Sequence, residues 1–318
     1  MKNIDTEYDY IIVGAGSAGC VLANRLSKNP KNRVLLLEAG REDKSITLKM
    51  PGAVLLNLKS TKHNWAFKGE PEPELAGRQL QHDRGKTLGG SSSINGMVFI
   101  RGNSLDYEGW RQMGCDGWGY ADVLPYFKKM ESYSGGGDDF RGDSGPLRVH
   151  RSVPKDPLSI AFIKAGKEAG YKETDDISGY CQEGFGIFDR TVFKGERWST
   201  TRGYLDPVRD RKNLTIITKA LVCKLILENN KATGVCFKDN KNKIFNVKSN
   251  KEVILCAGAV GSPHILMLSG IGPKDHLKSM GINLIADMPG VGQNLQDHPD
   301  FMIKYKCLKP VTLWPKTK

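Results

Sequence analysis

The chain is short of the devices that stabilise exported or metal-bound domains. None of its seven cysteines, an odd number, forms a C-x-x-C pair or a zinc-type spacing, which argues against a zinc ribbon. Cys223, Cys236 and Cys256 lie in apolar, strand-like runs where buried free thiols are expected, and this suggests a reducing compartment. Only MKNIDTEY precedes the first strand, so neither a signal peptide nor a transit peptide is evident. The resulting reading is intracellular, cytoplasmic rather than mitochondrial, with Asn213-Leu214-Thr215 an idle sequon. No apolar run approaches the ~20 residues of a membrane span. There is no internal repeat and no low-complexity tract. Positive charge is plentiful, at a net +12, but it is not gathered. Its densest stretch, KDNKNKIFNVKSNK at residues 238–251, alternates with Asn and Asp as a solvated hairpin does, so no nucleic-acid partner is expected. With 318 residues, 39% apolar and 26% charged, the chain has room for one large or two ordinary soluble domains.

One local pattern stands out against this plain background. Tyr10 to Val13 is an apolar run of the kind that forms a buried parallel strand. It feeds Gly14-Ala15-Gly16-Ser17-Ala18-Gly19, a G-x-G-x-x-G turn. Ala18, Val21, Leu22 and Leu26 then recur at helical spacing. A second strand, Arg33 to Leu37, ends at Glu38, about 20 residues beyond the turn. Each part has a physical task. Gly14 permits the tight turn, Gly16 lets backbone approach a pyrophosphate, and Gly19 lets helix pack on strand. The diphosphate rests on the free amides and positive end of the helix. Glu38 accepts from ribose hydroxyls, and its charge argues against a 2′-phosphorylated nucleotide. Strand, turn, helix and acid together predict a dinucleotide site. The motif alone does not separate NAD from FAD.

Further along, residues 39–78 read as a polar, proline-punctuated excursion. Residues 84–108 form a second glycine-rich segment. Helices are predicted from Ala121 to Glu131 and from Leu158 to Ala169. Leu214–Thr218, Val222–Leu227, Ala232–Phe237 and Ile244–Val247 read as successive short strands joined by polar turns. Val253–Leu255 reads as another strand, after which Ser262-Pro263 opens a helix. Gly142-Asp143-Ser144-Gly145-Pro146 looks like a serine-protease nucleophile loop, but no histidine has a matching context. It is read as a surface turn before a strand from Pro146 to His150.

The fold class implied is α/β: a Rossmann-like FAD-binding domain with a β-meander and a partial α+β substrate domain. The meander returning to a strand-plus-glycine is similar to FAD domains of the glutathione-reductase type, which favours FAD over NAD. GKTLGGSSSINGMVFIRGNSLDYE (85–108), GAVGSPHILMLSGIG (258–272) and VGQNLQDHP (291–299) resemble signature blocks of the glucose-methanol-choline (GMC) flavoprotein oxidoreductases. QEGFGIFDRTVFKGERWSTTRGYL (182–205) and KHNWAFKGEPEP (62–73) resemble the choline dehydrogenase branch. The resemblance runs from Tyr8 to about Pro315.

That resemblance implies FAD as cofactor and oxidation of an alcohol by hydride transfer to flavin N5, with a small-molecule alcohol as substrate. By position, Gly14, Gly16, Ser17, Ala18, Gly19 and Glu38 would hold the ADP half. Thr87, Gly90, Ser91, Asn95, Gly96, Met97 and Val98 would line the pyrophosphate and flavin, and Val222 would meet adenine through its backbone. Residues 8–125 and 213–300 would form the FAD-binding domain, and residues 126–212 and 301–318 part of the substrate domain. Some choline oxidases carry a flavin-bonded histidine just before the Asn of the 85–108 block; here that position is Ile94. The family's active-site histidine lies beyond the VGQNLQDHP block, so no catalytic residue is assigned within residues 1–318. His298 belongs to the block itself and is read as structural. The expectation is a C-terminally truncated family member, or else a non-catalytic FAD-binding remnant or scaffold.

Overall fold

The computed structural model describes residues 5–298, 300 and 302–312. It divides into two compact units, residues 1–96 with 195–296 and residues 97–194 with 297–318. Segment 97–125 thus groups with the second unit and 195–212 with the first.

The first unit is built on a six-stranded sheet. Its strand order is Leu214–Thr218, Val34–Glu38, Glu7–Val13, Ile244–Leu255, Lys231–Lys238, Leu221–Glu228. The first four strands run parallel and the last two turn back antiparallel. Val34 to Glu38 is buried throughout, as expected of a strand covered on both faces. Side chains alternate across it: Ile11, Val13, Leu35 and Leu37 join Val222, Leu225, Val235, Phe237 and Val247 in one core. Each such side chain, fully buried, contributes roughly 1.5–3 kcal/mol. The hairpin at Glu228–Lys231 turns through Asn229 and Asn230, both at positive φ (49° and 62°), the conformation of a tight two-residue hairpin loop.

Three sequence readings need correction. Leu214–Thr218 does not belong to the meander; it pairs in parallel with Val34–Glu38 at the opposite edge of the sheet. Ile244–Val247 and Val253–Leu255 are one strand of 12 residues, Ile244–Leu255. The polar Lys248 and Ser249 that look like a turn are held in the ladder opposite Glu7 and Tyr8. The following helix starts at Gly258, a turn before Ser262-Pro263, and carries Pro263 inside it. The excursion at 39–78 holds short helices at Ile46–Lys49 and Val54–Leu58 and part of a hairpin, Phe67–Glu72 with Arg78–His82.

The second unit carries a four-stranded sheet in the order Val98–Phe99, Asp189–Arg190, Leu147–Arg151, Glu131–Tyr133. Its helices are Ser104–Gln112, Tyr120–Met130 and Pro157–Glu168. Asn103 and Asp106 form a capping box on the first. Asp156 caps the third, ahead of Pro157 at its first turn, as helix starts favour. The GDSGP segment is a packed turn. A Cβ at Gly142 would lie 1.9 Å from Lys128 O, and one at Gly145 would lie 2.3 Å from the Met130 carbonyl carbon. Among the described residues all seven cysteines are free.

Candidate functional site

The turn after the first strand is pressed against its neighbours on two sides and open on a third. Gly14 sits at φ +99°, and a Cβ there would lie 2.5 Å from Cys256 O. A Cβ on Gly19 would lie 1.9 Å from Gly14 O. Both positions therefore exclude any side chain. Gly16 differs, because the nearest atom to its Cβ would be Cys256 O at 4.0 Å. The backbone at Gly16 faces open space. Helix Ser17–Leu26 begins there with no side-chain cap and no acidic residue in its first turn. Among the described residues no side chain therefore caps its leading amides, at the positive end of the helix dipole. Ser17 and Ala18 are exposed.

A second loop is stacked on this one. A Cβ on Gly90 (φ +53°) would meet Gly16 Cα at 2.7 Å, and the Gly89 amide donates to Ala15 O at 2.8 Å. Thr87 is buried and its hydroxyl donates to Arg41 O at 2.9 Å, so it braces the loop with its proton already committed. Ser91 Oγ accepts from the Gly85 amide. Asn95 and Gly96 are exposed at the end of the loop. Met97 and Val98 open the second unit. There Met97, at φ +61°, accepts from the Thr191 amide, and Val98 pairs with Arg190.

Glu38 ties the turn to the end of its own strand. Its two carboxylate oxygens accept from the Ala15 and Gly40 amides, each at 2.8 Å. It is a buried carboxylate. Burial pushes its pKa up to about 7, opposed by the two amides and the charge of Lys86. The Ala220 amide donates to Glu38 O at 2.9 Å. This carries the chain past the carboxylate toward Val222, whose side chain is in the core.

Residues 8–300 match the family model for GMC oxidoreductase. The chain belongs to the GMC oxidoreductase family. GMC oxidoreductases are FAD flavoproteins. The chain is 49% identical over 306 residues to an oxygen-dependent choline dehydrogenase of Sinorhizobium fredii, covering 96% of this chain and 55% of that protein. It is 49% identical over 316 residues to an oxygen-dependent choline dehydrogenase of Pectobacterium carotovorum, covering 97% and 56%. A solved structure of pyridoxine 4-oxidase from Mesorbium loti is similar at a TM-score of 0.85 and 36% identity, covering 89% of this chain and 55% of that one. An FAD-dependent oxidoreductase from Chaetomium thermophilum is similar at a TM-score of 0.85 and 34% identity, covering 91% and 52%. The chain thus spans about half the length of the curated relatives it matches.

Sequence reasoning missed several residues of this GMC chain. Cys20 is fully buried behind the turn, its thiol donating to Ala15 O at 3.3 Å. Burial pushes that thiol up to about 12, so it is an inert packing group. Arg197 is buried beside Ser92 and Asn95. Its segment, GERWSTTRGYL, offers no periodicity that would mark an inward side chain. None of the six histidine side chains makes a hydrogen bond among the described residues. No helix among the described residues is long and apolar enough to cross a membrane.

Proposed function

We propose that this chain is the FAD-binding part of an oxidoreductase acting on the CH–OH group of an alcohol, with choline as first candidate substrate. The carrying observation is Gly16: open to a ligand, at the start of an uncapped helix, next to an amide held by buried Glu38. Those groups fit a dinucleotide. The amides around Gly16, Ser17, Ala18 and Gly19 offer donors to a diphosphate, with Gly14 fixing the turn. Glu38 offers a charged acceptor to ribose hydroxyls, in addition to its two amides. Val222 contributes backbone at the adenine end. Thr87, Gly90 and Ser91 hold the second loop, and Asn95, Gly96, Met97 and Val98 make up the flavin-side segment. Ile94 is buried and has no nucleophilic atom, so the cofactor is held without a covalent bond at that position.

When bound, FAD supplies the hydride acceptor for alcohol oxidation. The residues described here bind and orient it. The first unit therefore serves as the cofactor-binding part. The second unit serves as part of the substrate-binding portion. The support for choline is the resemblance to the choline dehydrogenases. The experiment is reconstitution with FAD followed by anaerobic addition of choline and a panel of other alcohols. Stoichiometric flavin uptake with no rapid bleaching is expected from residues 1–318. Failure to take up flavin would refute the binding role, and bleaching at an enzyme-like rate would place a working base within these residues.

A further inference from the structure

Arg197 is a cation buried without a counter-ion among the described residues. It is 1% exposed. Nε donates to Leu48 O at 3.1 Å, and Nη1 donates to Asn95 Oδ1 at 2.8 Å and Ser92 O at 3.2 Å. Nη2 is buried and has no partner. The other two arginines buried among the described residues are both neutralised: Arg101 pairs with Glu131, and Arg141 with Glu131, Asp176 and Asp189. No carboxylate pairs with Arg197 among the described residues. Burial draws its pKa down to about 10, which still leaves it charged at neutral pH. A buried charge left without a counter-charge is strongly destabilising, and an anion is the simplest partner for it.

Arg197 lines a cavity of about 340 Å³. Lys44 and Lys49 line it too; both are exposed and neither is ion-paired among the described residues. Ser93 and Ser199 add hydroxyls, and Arg202 a further guanidinium already engaged by Glu196 at 2.5 Å. Two acids also reach the cavity, Asp43 and Asp206. Arg209 holds both, at 3.3 and 2.6 Å, so neither neutralises Arg197. The uncommitted groups are therefore one guanidinium edge and two ammoniums. The cavity lining includes neither the Gly14–Gly19 turn nor Ser91 nor Glu38. A guanidinium fork and two ammoniums lining one cavity suit a tetrahedral oxyanion.

We propose that this cavity binds a phosphate group, free or as a phosphomonoester, against Arg197 Nη2 with Lys44 and Lys49 closing over it. Occupation would also fasten the segment that carries Lys44, Leu48 and Lys49 to the loop at Ser92.

The test is thermal unfolding of the FAD-saturated protein titrated with inorganic phosphate, glycerol 3-phosphate, acetate and chloride at constant ionic strength. A ligand that binds only the folded protein raises the melting temperature in a saturable way. Wild-type protein should respond to phosphate or its ester and not to chloride. Tighter response to the ester points to an organic phosphate as source, and equal response to free phosphate; either supports the site. Lys49→Met, at an exposed position, should weaken phosphate binding roughly tenfold, and Arg197→Met should abolish it. Should Arg197→Met fail to fold, Lys44→Met combined with Lys49→Met decides. No response in wild type, an equal response in these variants, or acetate acting as strongly as phosphate would overturn the proposal. A response that vanishes once FAD is bound would place the anion in the dinucleotide turn and also overturn it. If the protein takes up no flavin, the flavin reading falls, while the phosphate titration of the variants is still readable on the flavin-free protein.

Discussion

Replacing Glu38 with glutamine probes the nucleotide site through one hydrogen-bond arrangement. In the wild-type protein both carboxylate oxygens are occupied, by the Ala15 and Gly40 amides at 2.8 Å each. Glutamine keeps the volume but turns an NH₂ toward one of those amides, so one buried donor loses its acceptor. A charge-assisted bond of this kind contributes about 1.5–3 kcal/mol. Opposing this loss is the removal of a carboxylate that burial disfavours. Glu38 has its pKa raised from 4.5 to about 7. A raised acid stabilises the fold fully below its unfolded pKa, and that stabilisation is lost as pH rises through the folded pKa. The window is therefore pH 4.5 to 7, and its size is about 3 kcal/mol. In the flavin-free protein, Glu38→Gln behaves like the protonated acid and should escape this loss.

Nucleotide binding runs the other way. In the proposed site ribose hydroxyls would donate to Glu38 and favour its ionised form, so binding should tighten as pH rises through 7 and release protons. With a free-protein pKa near 7, wild-type FAD affinity should fall about 30-fold between pH 8 and pH 5.5. Glu38→Gln should bind about 10–100-fold more weakly than wild type at pH 8, and the two should converge near pH 5.5. The assay is FAD fluorescence quenching across that pH range, with thermal melts of the flavin-free proteins alongside. A constant ratio between variant and wild type at all pH values would refute the reasoning, because the carboxylate charge would then not meet the nucleotide.

Gly16→Ala and Gly19→Ala should separate binding from folding. The first places its methyl in open space and should leave the melting temperature unchanged while weakening FAD. The second forces a methyl to 1.9 Å from Gly14 O and should prevent stable folding, as read by circular dichroism. Acid precipitation of FAD-loaded protein should release all flavin into the supernatant, because Ile94 offers no nucleophile; a yellow pellet would contradict this. Arg141→Met leaves Glu131 and Asp189 buried with one partner fewer. It should cost about 3–5 kcal/mol in urea unfolding, and a loss under 1 kcal/mol would mean the cluster is not a stability element.

The sequence disclosed what is local and missed what is assembled from afar. Glu7 to Glu38 contains its own strand, turn, helix and acid, so spacing alone reveals that strand–turn–helix unit. The helices Tyr120–Met130 and Pro157–Glu168 were legible to within about one residue because apolar period and caps are also local. The edge position of Leu214–Thr218 was not, since pairing with Val34–Glu38 across some 180 residues leaves no trace in its own pattern. The same holds for the continuous strand Ile244–Leu255, whose polar middle is kept extended by partners Glu7 and Tyr8. The ion cluster of Arg101, Glu131, Arg141, Arg151, Asp176 and Asp189 draws on segments far apart in the chain, so no local pattern reveals it. The direction of the Thr87 hydroxyl, toward Arg41 O, depends on a loop brought in from elsewhere.

The central claim is that the turn around Gly16, with Glu38, holds FAD. Its most direct test is the visible absorbance spectrum of purified protein after incubation with FAD and removal of free cofactor by gel filtration. The account predicts flavin bands at about one equivalent per chain, undiminished by excess NAD during loading and lost in Glu38→Gln at pH 8. A colourless wild-type protein, or flavin that excess NAD displaces, would contradict it.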